Sequence, residues 1–283
     1  MKLARFSHGG VTSIGKIVGD RVIDLTPVLE GQGDSMRSLL ADLDTLRPWI
    51  EGAETPALPL SEVRLLAPIH DPQKFLAIGM NYQAHADEAA AAGVPTPKSQ
   101  LWFNKQVSCI NGPFDDVVAP KASDQVDYEA ELAFVIGTRC RHVSRADARN
   151  VIAGYLVCND VTARDWQFRS PTYTLGKSFD THGPIGPWIT TDDEVADPMA
   201  LEMTLTVNGE ERQRTSTSDM IYDIYAQIEY LSTVMTLEPG DLITTGTPSG
   251  VGIALNKFLQ PGDVVRVEVS QLGYIENRIV AEL

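Results

Sequence analysis

The sequence predicts an α+β chain in which strands outweigh helices, arranged as a small leading unit over residues 1–65 and a larger unit over residues 66–283. Three observations carry that prediction. Short β-prone segments recur between glycine and proline turns along the 283 residues, and apolar positions keep helical spacing only in isolated stretches. A proline-bearing run from Pro56 to Pro68 reads as a connector between the units.

The leading unit opens with β-prone segments at Ala4 to Phe6, Thr12 to Val18 and Arg21 to Leu25, punctuated by Gly9-Gly10 and Gly19-Asp20, which predicts a hairpin or small meander. Asp34-Ser35-Met36 then leads into Met36, Leu39, Leu40, Leu43 and Leu46 at helical spacing, one amphipathic helix that Pro48 is expected to close. The larger unit begins with a buried strand, Lys74 to Gly79. The alanine-rich run Glu88 to Ala92 favours a short helix ended by Gly93, Pro95 and Pro97, and on a helix His85 and Glu88, three apart, share one face. On residues alone this is a solvated surface helix.

Trp102 to Lys105 reads as a strand and Ser108 to Pro113 as a turn. The run Val126 to Gly137 is apolar enough for a buried strand, yet it carries Glu129 and Glu131 two apart, which on a strand share a face. Asn150 to Cys158 is a second buried strand, and Asp160 follows at its end. Gly176 to Asp180 holds a single lysine, Lys177, of a kind usually solvated, and Gly183 to Trp188 reads as a rigid turn. Leu205 to Glu210 carries an Asn-Gly hairpin signal. A helix capped by Thr217 or Ser218 is expected over Met220 to Met235, up to Pro239-Gly240. Gly246 to Gly252 permits close ligand approach but lacks the Gly-Lys-Ser/Thr of a phosphate loop. Val265, Val267 and Val269 alternate as in a strand.

A hydrophobic content of 43% can fill a core of this size. The net charge of −15 repels phosphate backbones and anionic lipids, so no nucleic-acid or membrane-surface role is expected. Met1 to Phe6 lacks the apolar segment of a secretion signal and no apolar run suffices for a bilayer span, which predicts a cytoplasmic location. Cys109, Cys140 and Cys158 contain no CxxC pair and are odd in number, so free thiols are expected.

Two carboxylates entering an apolar interior side by side repel each other unless a proton or a cation intervenes. Glu129, Glu131 and Asp160 together offer only oxygen, which suits Mg²⁺, Mn²⁺ or Ca²⁺ better than zinc. The bland alternative is a pair of solvent-facing glutamates.

Five motifs in order resemble the fumarylacetoacetate hydrolase superfamily across about residues 70 to 283. They are Gly79-Met80-Asn81-Tyr82 with His85 and Glu88, then Asp127-Tyr128-Glu129-Ala130-Glu131, Asn159 to Asp165, Gly176-Lys177-Ser178-Phe179-Asp180 and Thr245-Gly246-Thr247-Pro248. The leading unit is similar to that of two-domain bacterial members, including those acting on 2,4-diketo-3-deoxy sugar acids. The resemblance implies a mixed β-sandwich roll for the catalytic domain, a homodimer, and Mg²⁺ or Mn²⁺ on Glu129, Glu131 and Asp160. It also implies an acylpyruvate-like 2-oxo acid substrate whose ketone the ion polarises. Lys177 is then buried beside the ion, against its residue-level reading, and Arg164, Gln167 and Thr247 hold substrate oxygens. His85, oriented by Glu88 on a closing lid, activates water. His182 either contacts a polar substrate tail or packs as a structural histidine beside Pro184 and Trp188. His8, His70 and His142 lie outside the motifs. The expected activity is hydrolysis of a carbon-carbon bond in a 2,4-dioxo acid. The alternatives are an oxaloacetate-type decarboxylase, a 2-hydroxyhepta-2,4-diene-1,7-dioate isomerase and a non-catalytic binding member.

Overall fold

The structure, a computed structural model, describes residues 1–29, 35–54 and 56–283. About 37% of it is strand and 22% helix, so the mainly-β expectation holds. Among the described residues the strands form a twelve-stranded mixed sheet, a five-stranded sheet and a two-stranded ribbon. The five-stranded sheet contains the Asn208-Gly209 hairpin, whose two turn residues both have positive φ, at 53° and 79°, as a tight primed turn requires.

The leading segments become the strands Lys2–His8, Val11–Val18 and Arg21–Asp24 of one antiparallel meander. This meander continues into the rest of the chain, because Lys2 and Leu3 pair with Thr190 and Ile189. The stretch expected to be a connector is itself paired. Ala57–Pro59 adds to Arg21–Asp24, and Arg64–Leu66 adds to Lys2–His8.

Four local expectations need correction. The single helix closed by Pro48 is two helices, Met36–Ala41 and Leu43–Gly52, with Pro48 inside the second. Proline there removes one donor, but fully buried Ile50 holds the following turn in place; the Asp34 lead-in lies outside the described residues. The late helix is shorter than its apolar spacing suggested. It runs Ile224–Val234 with Asp223 as N-cap, its side chain accepting from the Ala226 N–H, while Thr217 and Ser218 lie in a separate 3₁₀ turn. Gly183 to Trp188 is no turn but the start of the strand Gly183–Thr191.

The fourth correction concerns the glutamate strand, which is broken in two. Val126–Asp127 pairs with Thr162–Ala163, whereas Ala130–Ile136 enters the large sheet between Ile152–Asn159 and Leu242–Thr244. At the break, side chains replace ladder partners: the Glu129 N–H donates to Asn159 Oδ1 at 3.0 Å and the Ala130 N–H to Gln213 Oε1 at 2.9 Å. The chain can therefore turn from one sheet into the other without leaving buried donors unpaired.

Candidate active site

Despite the break, Glu129 and Glu131 converge with Asp160, which follows the strand Ile152–Asn159. One oxygen from each of the three buried carboxylates lies within 4.8 Å of the others. Burial, and then the charges of Asp160 and Glu129, push the Glu131 carboxyl well above the ordinary carboxylate range. For Glu129 burial acts in the same direction, but Lys177 and Arg164 outweigh it and hold that carboxyl low. An all-oxygen cluster with one unrelieved carboxylate fits a hard divalent cation.

Three cations frame the cluster. Lys177 is buried, with Nζ at 2.6 Å from Glu129 Oε2 and 2.8 Å from Asp160 Oδ2, so its reading as a solvated lysine is overturned. Gly176 makes this possible, since a Cβ there would sit 2.2 Å from the Gln167 nitrogen. Arg164 donates through Nε to Asp127 Oδ2 at 2.8 Å and through Nη1 to Gln167 Oε1 at 2.9 Å, and Nη1 lies 2.7 Å from Glu129 Oε1. Its Nη2 is buried without a hydrogen-bond partner among the described residues. The third cation, Lys105, places Nζ 2.6 Å from Asp160 Oδ1 and also donates to the Lys177 carbonyl. Sequence reasoning passed over Lys105. The available signal was alternation after the strand Leu101–Asn104, where Phe103 is buried, Asn104 exposed and Lys105 buried.

The His85–Glu88 pair stands on the helix Gln83–Ala91. His85 Nδ1 lies 3.2 Å from Glu88 Oε2; the carboxylate can only accept, which leaves Nε2 as the free base. Burial would raise the Glu88 carboxyl, but hydrogen bonds from His85 and from the Gly250 N–H hold it below its usual value. The glycine-rich loop ties the site together through its backbone. Gly246 N–H donates to Glu131 Oε2 at 2.8 Å, Gly250 N–H to Glu88 Oε1 at 3.2 Å, and Gly252 N–H to Asp127 Oδ1 at 2.6 Å. The loop, expected to admit a ligand closely, makes these three backbone contacts to the protein's own carboxylates.

His85, Glu88, Glu129, Arg164, Gln167, Lys177 and Thr247 all line one cavity of about 180 Å³, and Glu131 and Asp160 lie against its floor through Lys177 and Glu129. Two residues without an assigned role support it. Gln213 Nε2 donates to Thr247 Oγ1 at 3.0 Å, and Asn81 anchors the start of the lid helix with hydrogen bonds to Thr245 and Tyr222. His182 is elsewhere, absent from the described lining of the cavity: its Nε2 donates to the Val118 carbonyl at 2.9 Å and its ring packs 5.4 Å from Phe179. The substrate-tail reading is therefore not supported; the histidine is fully buried and its ring contact is with Phe179.

Comparison with known proteins identifies the family. Residues 74–280 match the family described as fumarylacetoacetate (FAA) hydrolase C-terminal, and residues 1–68 match the one described as Rv2993c-like, N-terminal. The chain is 45% identical over 232 residues to oxaloacetate tautomerase FAHD2A, mitochondrial, of Homo sapiens, covering 81% of this chain and 73% of that one. Among solved structures, maleylpyruvate hydrolase from Sphingobium sp. SYK-6, in complex with manganese(II) and pyruvate, is 36% identical with a TM-score of 0.85 and full coverage of both chains, 100% each. A 2-hydroxyhepta-2,4-diene-1,7-dioate isomerase from Mycobacterium marinum is 34% identical with a TM-score of 0.79, covering 100% of this chain and 99% of that one.

Proposed function

This chain belongs to the fumarylacetoacetate hydrolase family, and from that premise we propose that it is a divalent-metal-dependent hydrolase. It cleaves a carbon-carbon bond in a 2,4-dioxo acid to give pyruvate and a second carboxylic acid. The observation that carries this reading is one cavity with a buried carboxylate triad at its floor and a histidine base on its lid. The manganese and pyruvate bound by the maleylpyruvate hydrolase neighbour support it.

A Mg²⁺ or Mn²⁺ ion held by Glu129, Glu131 and Asp160 would polarise the ketone next to the substrate carboxylate and stabilise the negative charge that develops on its oxygen. Lys177 adds positive charge at the same place. Arg164, through Nη2, together with Gln167 and Thr247, holds substrate oxygens. His85 Nε2 takes a proton from water as the water oxygen adds to the distal ketone, while Glu88 keeps the imidazole oriented and stabilises its protonated form. The electron pair of the breaking bond passes into the pyruvyl half, which takes up a proton at the carbon released. A homodimer and a cytoplasmic location complete the proposal, the first testable by light scattering on the purified protein.

A second reading is favoured by the identity with an oxaloacetate tautomerase: the same base moves a proton beside the ketone, and no carbon-carbon bond breaks. Product analysis after incubation with acylpyruvates, diketo sugar acids and oxaloacetate, with Mg²⁺ or Mn²⁺, separates the two. Two acids are expected; a shifted double bond, CO₂ or tautomerisation alone would replace the hydrolase reading. His85→Ala should lower kcat by about 10²- to 10⁴-fold, and an unchanged rate would remove His85 as the base.

A further inference from the structure

We propose that the acyl half of the substrate is a short uncharged alkyl group, and that this chain discriminates against 2-oxo acids carrying a second carboxylate or a polyol at that end. The inference rests on the hydrolase reading and deepens it. It starts from where the cavity keeps its charge. The cationic groups in its lining are Arg164, Lys177 and, when protonated, His85. Lys177 is committed to Glu129 and Asp160, and Arg164 to Asp127, Glu129 and Gln167. Among the lysines and arginines of the described lining, the one unpartnered nitrogen, Arg164 Nη2, belongs to a guanidinium already seated against the carboxylate floor, and His85 Nε2 is given to the catalytic water. That end matches the carboxylate of the 2-oxo acid itself.

Away from the floor the wall changes character. His85, Glu88, Ala89 and Ala92 fall at i, i+3, i+4 and i+7 of the lid and share its cavity face, so over about 10 Å the face passes from the polar pair to methyl groups. An aromatic row leads from buried Lys177 through Phe103 and half-buried Tyr173 to Phe168, which is 58% exposed. The Lys177 ammonium stands 5.2 Å from the Phe103 ring centre, Phe103 meets Tyr173 edge-on at 5.9 Å, and Tyr173 meets Phe168 at 6.5 Å. Val94, Leu101 and Ile253 close the remaining sides. Tyr173 holds its place in the row with a left-handed backbone, φ 61°, which L-residues seldom adopt, and Met80 in the same lining has φ 54°. A second carboxylate held within this wall would lose its water against hydrocarbon and, among the described lining residues beyond the floor, find no lysine or arginine. A polyol would set most of its hydroxyls against hydrocarbon, with the Tyr173 hydroxyl the polar group of the aromatic row. The cavity of about 180 Å³, part of which the pyruvyl half takes, compares with the roughly 150 Å³ that accommodates benzene alone, so short alkyl acyl groups suit it.

The test measures kcat/KM of the full-length, Mg²⁺-loaded enzyme on acetyl-, butanoyl- and hexanoylpyruvate and on the analogues of the same length that end in a carboxylate. Each methylene should raise kcat/KM about fourfold until the cavity is full. The carboxylate-ended analogues should fall at least about 100-fold below their neutral partners, a gap expected when a charge goes unpaired. Leu101→Arg, which adds the missing cation, should narrow that gap. Equal or better turnover of the carboxylate-ended series by the unaltered enzyme would overturn the inference and leave the hydrolase reading standing. Failure to turn over any 2,4-dioxo acid would overturn the hydrolase reading, and the inference with it.

Discussion

Glu131 sits in an electrostatic conflict that its neighbours do not resolve. It accepts the Gly246 N–H but faces Glu129 and Asp160, whereas Lys177, Lys105 and Arg164 attend those two carboxylates. Removing its charge should relieve the metal-free protein and abolish its response to the ion. We expect Glu131→Gln to melt at or above the unaltered protein in EDTA. It should also lose the stabilisation, about 3 kcal/mol at 100 times Kd, that Mg²⁺ or Mn²⁺ confers on the unaltered chain in thermal shift. An unchanged metal shift would remove Glu131 as a ligand. His182 makes a separate prediction. Burial holds its pKa down to about 4, from an ordinary value of 6.5. The unfolded chain therefore binds the proton first as pH falls. The contribution is fully present above about pH 6.5 and is lost progressively toward pH 4, a change of about 3 kcal/mol. His182→Asn keeps a donor for Val118 without the titration, so its urea-unfolding free energy should fall less steeply than that of the unaltered protein across this window. Parallel slopes would contradict the assignment.

At the scale of elements, the loop 246–252 and the segment around Gly176 bring the chemistry together. The loop hands one glycine N–H each to the metal-cluster, base-pair and arginine-anchoring carboxylates, so the three parts of the site share one backbone. Gly176 lets the lysine segment lie directly on the turn carrying Gln167, where an added methyl would be 2.4 Å from the Gln167 Cα. Gly176→Ala should therefore push Lys177 off the cluster, with a loss of stability of about 1–3 kcal/mol and a fall in kcat larger than any change in KM. Denaturation and steady-state kinetics check both; wild-type kcat with reduced stability would confine Gly176 to packing. The helical spacing of the His85–Glu88 pair was legible in the sequence, and so was the position of Asp160 at a strand end. The broken glutamate strand was not, because its cause is Gln213, 83 residues from Ala130, substituting for a strand partner.

At the scale of the molecule, the leading segment is part of the main sheet. Leu3 and Ile189 face each other across strands, and Leu3, Leu39, Leu40 and Ile50 pack in one cluster with Val135, Leu156 and Ile189. Removing residues 1–65 would strip an edge and half of that cluster from the remainder. We expect the chain 66–283 alone to lose near-ultraviolet dichroism and bind hydrophobic dye, and the full chain to unfold in one calorimetric transition. Two separated transitions, or a native-like spectrum of the shorter chain, would show the leading segment to be independent.

The sequence by itself determined the strand-rich class, the leading meander, the Asn-Gly hairpin and the types of residue that carry the chemistry, since these follow from local periodicity, turn chemistry and charge. Its ordered motifs also sufficed to name the family. Tertiary structure alone decided which lone charges are buried. Lys177 and Lys105 have no periodic neighbours to mark them, and each is held because strands distant in the chain deliver carboxylates to its ammonium. It also decided where Pro48 and the glutamate strand yield to packing, and that the cavity beyond the carboxylates is walled with hydrocarbon. These outcomes depend on desolvation and on hydrogen bonds between residues far apart in the chain, which local sequence does not encode.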